Sequence, residues 1–244
     1  VELYLIRHGQ STNNALELES ERTYDPQLTA LGHQQAAYLA TFATEAAHRD
    51  PWINHETGFS RSEARQGLDL THLYVSPMHR TLQTASPLAR ALGMKPIIRY
   101  DIYEHGGIYL EQDGVVIPHP GRSLAQVAEE FPDYVPGDGH REDGWYDIRN
   151  GQESYPQACA RAITLVMELR TRAVGEDREA RIGIVTHGTF MDIVLKAFFG
   201  MLPTRVMYHM HYNTAITRLD FMDKDRLLLR YVNRVDHLPA EAIS

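Results

Sequence analysis

Leu3-Tyr4-Leu5-Ile6-Arg7-His8-Gly9-Gln10-Ser11-Thr12-Asn13-Asn14 is the stretch from which the fold of this 244-residue chain is read. Four apolar residues run into an arginine, a histidine and a glycine, then into small polar residues of the kind that cap helices. An apolar run ended by Gly and followed by capping residues reads as a buried strand feeding a helix. In an open α/β sheet, ligands bind at the carboxyl ends of the strands, where Arg7 and His8 stand. Arg offers a planar fork of donors matched to phosphate or carboxylate, and His a ring nitrogen that can attack or carry a proton. Taken alone, His8 reads equally as a hydrogen-bonded histidine at a strand end.

Working outward, Ser11 or Thr12 is expected to cap a first helix, broken by Arg22-Thr23-Tyr24-Asp25-Pro26. A second helix starts after Thr29, its N-cap, with Leu31, Ala36, Leu39 and Phe42 at helical spacing. Residues 48–70 turn polar and aperiodic and read as a surface insertion with some helix in it. Thr71–Val75 reads as a strand, Thr81–Leu92 as a helix with Pro87 placed to kink it and Gly93 to stop it, and Pro96–Arg99 as a third strand. Residues 101–150 are the least regular part. With Gly151 they hold eight glycines and four prolines, and only 124–131 reads as a helix. Loop regions of that length in a compact domain usually serve function. A long helix (155–173), a strand (181–186) ending in His187-Gly188-Thr189, a helix to Phe199 and two strands (214–221 and 226–232) complete the chain. Strands alternating with helices give an α/β class with a helix-flanked sheet.

The composition, 43% hydrophobic and 23% charged, is that of a globular protein with room for a sizeable core. Mean hydropathy is −0.37. There is no run of about 18 apolar residues to cross a membrane and no signal-peptide pattern. The single cysteine, Cys159, excludes an internal disulfide and fits a reducing, cytoplasmic setting. A net charge of −8 argues against a nucleic-acid or anionic-membrane partner, but leaves room for a locally positive pocket.

Three strand ends share a property. Arg7-His8 follows the first, Arg80 comes after Ser76-Pro77 at the second, and His187 follows the fourth. Two arginines and two histidines at one sheet edge would make an electropositive pocket in an acidic protein. Phosphoryl transfer calls for such a pocket, because its catalysis is mostly positioning and charge stabilisation. A helix starting near Ser11 would add backbone N–H groups.

At these residues the chain resembles the histidine phosphatase, or phosphoglycerate mutase-like, superfamily. The resemblance runs through Arg7–Asn14, Leu28-Thr29 with Gly32 and Gln35-Ala36, Ser76-Pro77 with Arg80 and Gln83-Thr84-Ala85, Glu104, Val185–Gly188 and Asn213–Thr217. It implies a single domain over 1–244: a three-layer α/β/α sandwich with a cap from 101–150 over the active site. It implies His8 as nucleophile, forming a phosphohistidine, with Arg7, Arg80 and His187 holding the phosphoryl oxygens and Asn14 as an added donor. Glu104 would protonate the leaving alkoxide and then take a proton from water, with Glu111 as the alternative donor. No metal or other cofactor is implied. Ser11 and Gly188 stand where the phytase-like branch resembling this pattern carries an Arg and a proton-donating Asp. Thr12-Asn13 and Glu104-His105-Gly106-Gly107 depart from the mutase pattern. These departures favour a phosphomonoesterase acting on a small phosphate ester and releasing inorganic phosphate. A mutase, and a phospholigand-binding protein without turnover, are the alternatives.

Other residues carry both readings. His105 and Arg22 are candidate substrate contacts, Arg22 also a solvated arginine and Arg122 a candidate for a second anionic group. Tyr103, Tyr109, Trp145 and Tyr146 could line the pocket or pack the cap. His79 reads as a surface residue, Met191 and Met201 as core, and Cys159 as a small buried hydrophobe. His209 and His211 would share one strand face, the only tight pair with a metal reading.

Overall fold

The computed structural model describes residues 1–53, 60–139, 141–223 and 226–244, with side chains described except over 48–53 and 60–63. In chain order the strands and helices are β1 (Glu2–Arg7), α1 (Ala30–Glu45), β2 (Ala47–Ile53), β3 (Ser60–Gln66), β4 (His72–Val75), α2 (His79–Leu92), β5 (Ile97–Ile98), β6 (Tyr109–Gln112) and β7 (Val115–Pro118), then α3 (Leu124–Glu130), β8 (Val135–Pro136), α4 (Tyr155–Arg172), β9 (Arg181–Thr186), α5 (Gly188–Phe198), β10 (Ile216–Phe221) and β11 (Leu227–Arg234). Seven strands form one sheet in the order β11-β10-β1-β9-β4-β5-β8. From β1 through β9, β4 and β5 to β8 every pairing is parallel, while β10 and β11 add antiparallel strands at the other edge.

β1 shows why the apolar run becomes a central strand. Successive side chains alternate between faces, and both faces are covered. Leu3 and Leu5 join Ile182 and Ile184 of β9 under α4 and α5. Tyr4 and Ile6 join Leu73, Val75 and Val185 under α1 and α2. All four β1 side chains are at most 1% exposed. Fully burying a Leu or Ile side chain stabilises by about 1.5–3 kcal/mol. The result is the expected three-layer α/β/α arrangement.

Most elements fall where the sequence reading puts them. Thr29 caps α1, its side chain accepting from Gly32 N–H. Helix α2 runs through Pro87 and ends at Gly93, whose φ of +64° is the left-handed conformation that glycine adopts at no steric cost. Two expectations fail. After Ser11 there are only two 3₁₀ turns, Thr12–Asn14 and Glu19–Glu21. Asn14 Oδ1 takes Ser11 N–H and Oγ–H at 3.1 and 3.0 Å, and Ser11 then bridges antiparallel to Leu28, drawing the chain sideways instead of into a helix. The supply of helix N-terminal donors expected there is absent.

The 48–70 insertion contains no helix among its described residues; β2 and β3 pair antiparallel as a separate two-stranded ribbon. Residues 54–59 lie outside the described residues. Its end belongs to the core. Leu68 is 1% exposed, and Leu70 packs over Gly183 of β9 so closely that a Cβ there would meet Leu70 Cδ1 at 2.7 Å. Within 101–150, β6 and β7 form a hairpin, α3 replaces the expected 124–131 helix almost residue for residue, and β8 returns to the edge of the main sheet. No helix among the described residues is long and apolar enough to cross a membrane.

Candidate active site

β1, β9 and β4 are consecutive parallel strands, so they release the chain at one edge of the sheet. This edge gathers Arg7 and His8 from β1, His187 from β9, and Arg80 from the first turn of α2, which follows β4. His8 N–H donates to Thr186 O at 3.0 Å, so the two histidine-bearing turns are tied together. The rings of His8 and His187 lie 5.2 Å apart. Gly9 is required for close approach. A Cβ there would lie 2.6 Å from Gly32 O, and one on Gly32 only 2.1 Å from Gln10 O. The loop after β1 therefore packs backbone to backbone against the start of α1.

His8 is buried, and its ring nitrogens have distinct partners. Nδ1 lies 2.6 Å from Gly9 O; a carbonyl can only accept, so the proton is on Nδ1. Nε2 receives Arg80 Nε–H at 3.2 Å, which requires a lone pair there. Burial, then Arg80 and Arg7, hold the ring's pKa well below the ordinary histidine value. His8 is thus a neutral imidazole with its nucleophilic lone pair on Nε2.

Arg7 donates from Nη1 to His211 O at 2.5 Å, while its Nε is buried and without a hydrogen-bond partner among the described residues. The Arg80 side chain, 9% exposed, makes no other hydrogen bond among the described residues than the one to His8. His187 is wholly buried. Its Nε2 lies 2.7 Å from Ser76 Oγ, and its Nδ1 has no partner among the described residues. Ser76 Oγ accepts Met78 N–H at 3.5 Å and can give its own proton to His187 Nε2. In that arrangement the ring's proton sits on the orphaned Nδ1. Burial and the neighbouring Arg80 push the pKa of His187 well below the ordinary value, so this donor belongs to a neutral ring. Buried donors without acceptors cost stability unless a ligand satisfies them.

Glu104 stands at the N-terminus of α5. Its Oε1 accepts His105 N–H at 2.8 Å and Phe190 N–H at 2.9 Å, and its Oε2 accepts Thr189 N–H at 3.3 Å. Arg161 fixes the segment that carries it. Its Nη1 donates to Asp101 O and Tyr103 O, both at 2.9 Å, its Nε and Nη2 pair with Glu153, and its guanidinium stacks between the Tyr103 and Phe190 rings.

A cleft of about 600 Å³ is lined by Arg7, His8, Ser11, Asn14, Arg22, Arg80, Glu104 and His105, among others. It brings together nearly all the candidate residues. Asn14 spends Oδ1 on Ser11, so its amide N–H groups are what it can offer a ligand. His187 lies beneath this lining. Gly188 does not line the cleft; it leaves space for Arg7, whose Nε would be 3.3 Å from a Cβ there. Glu111 also borders the cleft but from the exposed β6–β7 hairpin.

Tyr109 lines the cleft, whereas Tyr103, Trp145 and Tyr146 pack with Met78 and Ile108. Arg122 is held by Glu130 at 2.5 Å and does not reach the cleft. His79 is not a surface residue. Its side chain is 12% exposed and bonds Glu130 at 2.8 Å. His209 and His211 are not on a strand: His209 pairs with Asp192 at 2.8 Å, and His211 is buried against Thr217. Met191 and Cys159 are buried as expected.

Sequence reasoning missed the residues that hold the machinery in place. Asn213 Nδ2 donates to His8 O at 2.9 Å, and Thr214 N–H reaches the same oxygen from a left-handed backbone of φ +55°. Thr84 Oγ1 accepts Gly9 N–H. Asp192 holds both Lys196 (2.6 Å) and His209, pinning the segment from which His211 O takes Arg7. Ser76, Thr84 and Asn213 all fall inside the matching motifs, the one signal that could have marked them.

The sequence profile of the histidine phosphatase superfamily (branch 1) matches residues 3–51 and 61–234. A probable phosphoglycerate mutase, GpmB, of Escherichia fergusonii is 24% identical over 253 residues, covering 100% of this chain and 97% of that protein. A PE-PGRS family protein, PE_PGRS11, of Mycobacterium tuberculosis is 34% identical over 105 residues, 43% of this chain; the match spans 14% of that protein. Among solved structures, phosphoserine phosphatase from Entamoeba histolytica, in complex with 3-phosphoglyceric acid, superposes with a TM-score of 0.58 at 22% identity, covering 98% of this chain and 99% of that one. A mycobacterial glucosyl-3-phosphoglycerate phosphatase gives a TM-score of 0.56 at 18% identity, covering 96% of this chain and 99% of the other.

Proposed function

The chain belongs to the histidine phosphatase superfamily, branch 1, and within it we propose a phosphomonoesterase that acts through a phosphohistidine on a small phosphorylated metabolite. The observation that carries this reading is the state of His8: proton on Nδ1 toward Gly9 O, lone pair on Nε2 beside Arg80. A binding protein needs the arginines but has no use for a neutral nucleophile held in this way.

In the first step the Nε2 lone pair attacks phosphorus as the bond to the ester oxygen breaks. Arg7, Arg80 and the Nδ1–H of His187 stabilise the phosphoryl oxygens. Glu104 gives a proton to the leaving alkoxide. In the second step the Glu104 carboxylate takes a proton from water, which attacks the phosphohistidine. Inorganic phosphate leaves, and His8 regains its lone pair. The chain's own arginines and histidines supply the charge. Asn14, Ser11, Arg22 and His105 contact the ester, the last two from the outer cleft, under a cap formed from 101–150. A cytoplasmic setting is proposed from the single, buried cysteine.

The mutase named among the relatives supports a second reading, in which the phosphoryl group returns to another hydroxyl of the same substrate. Phosphate release from phosphomonoesters by wild type and by His8→Ala tests the proposal. Release by wild type alone supports it, and equal rates would refute it. Labelled phosphate that moved within the substrate without release would favour the mutase.

A further inference from the structure

The cleft changes sign with depth. Its floor is basic, with the buried Arg80 and the half-buried Arg7 around His8. Its exposed charged lining is mainly acidic: Glu19, Glu111 and Asp113 face a single guanidinium, that of Arg22. Glu111 and Asp113 come from the tip of the β6–β7 hairpin, turned by positive φ at Asp113 (+51°) and Gly114 (+76°). Glu19 and Arg22 come from the opposite wall, the loop between Asn14 and α1. None of these four side chains has a hydrogen bond or ion pair among the described residues, so the three carboxylates are not neutralised within the cleft.

The floor fixes where the phosphoryl group goes: Arg80 and Arg7 lie around His8 there, and the buried Arg7 Nε has no hydrogen-bond partner among the described residues. The alcohol part of a substrate must then extend past Glu104 and His105 into the acidic mouth. A carboxylate or second phosphate on that alcohol would meet three like charges and one opposite one. Like charges disfavour such a group, and more so at low salt. We propose that this cleft selects phosphomonoesters whose alcohol part carries no second anionic group, with Glu19, Glu111 and Asp113 as the specificity-determining side chains. The proposal rests on the phosphatase reading above and names its substrate class.

Glycerol 3-phosphate and 3-phosphoglycerate provide the test, since they are close in size and differ by a hydroxymethyl in place of a carboxylate. Calorimetric binding to His8→Ala separates recognition from turnover, and kcat/KM of wild type for the two esters is the second measurement. Glycerol 3-phosphate is expected to be favoured about tenfold at low salt, the preference shrinking as salt rises. In Glu19→Gln/Glu111→Gln/Asp113→Asn the preference should approach unity. A wild type that binds or turns over 3-phosphoglycerate as well or better overturns the proposal. So does a preference that survives the triple substitution. If the binding preference is present while neither ester is hydrolysed, charge selection stands and the phosphatase reading falls.

Discussion

Arg80 Nε donates to His8 Nε2 across 3.2 Å, so the cation and the nucleophilic lone pair face each other directly in the resting protein. The contact keeps the ring neutral, because a proton on Nε2 would confront a guanidinium. It also places the guanidinium where an incoming phosphoryl oxygen needs it. Arg80→Ala is therefore expected to lower kcat by about 10²–10³-fold, the usual cost of losing one transition-state donor. Arg80→Lys should recover only part, since an ammonium cannot present the fork. Steady-state kinetics check this. A full recovery by lysine would mean that charge alone is required.

The hydrogen bonds fix the tautomer of His8, and the phosphatase reading requires the same one of His187. In ¹⁵N-histidine spectra, His8 and His187 should both appear as neutral Nδ1–H rings at pH 6, below the ordinary histidine value of about 6.5. Ser76→Ala should disturb the His187 signal and leave that of His8 in place. A charged His8 at pH 6 would contradict the site's electrostatics.

Gly32 gives a prediction whose sign is opposite to helix propensity. It lies in the first turn of α1, where Gly→Ala in an exposed helix interior normally stabilises by about 0.8–1.0 kcal/mol. Here the added Cβ would sit 2.1 Å from Gln10 O, a backbone atom with no freedom to swing away. Gly32→Ala should destabilise by about 1–3 kcal/mol and reduce activity, since Gln10 follows His8-Gly9. Urea denaturation with an activity assay measures both, and a gain in stability would count against the packing described.

Acid should weaken the fold through buried histidines. Burial lowers His211 and His237 to about 4, and His8 and His187 lie well below the ordinary value. Folded values below the unfolded one mean that the unfolded chain binds more protons once pH drops under about 6.5. Their contribution is complete above that pH and is lost progressively toward pH 4. Each histidine contributes a slope of up to about 1.4 kcal/mol per pH unit in that window. Unfolding free energy measured from pH 7.5 to 5 should fall accordingly, and His237→Gln should lower the slope by about one proton. A flat profile would contradict it.

The sheet and the floor of the site were legible in the sequence for one physical reason. β1 and β9 are buried on both faces, so they read as unbroken apolar runs, and the residues that end them fall at one edge. Arg7, His8 and His187 are legible that way, and Arg80 through the Ser76-Pro77 turn that follows β4. The β2–β3 ribbon was not, because its polar, aperiodic residues carry no alternation to separate strand from loop. The missing helix at Ser11 reflects a local competition: Asn14's side chain satisfies the cap within one turn, and the bridge to Leu28 redirects the chain. Glu104's environment was hidden as well, since two of its partners are backbone N–H groups of Thr189 and Phe190, far along the chain. Asn213 and Ser76 were visible as motif letters, but their roles follow only from contacts with His8 and His187.

Rapid quenching of wild type during turnover of a phosphomonoester, followed by peptide mass spectrometry under alkaline conditions that preserve phosphohistidine, tests the central claim most directly. The expected result is one phosphoryl group on Nε2 of His8, formed and lost at least as fast as turnover. Hydrolysis that proceeds with no phosphoryl group on His8, or with the group on another residue, would contradict the account.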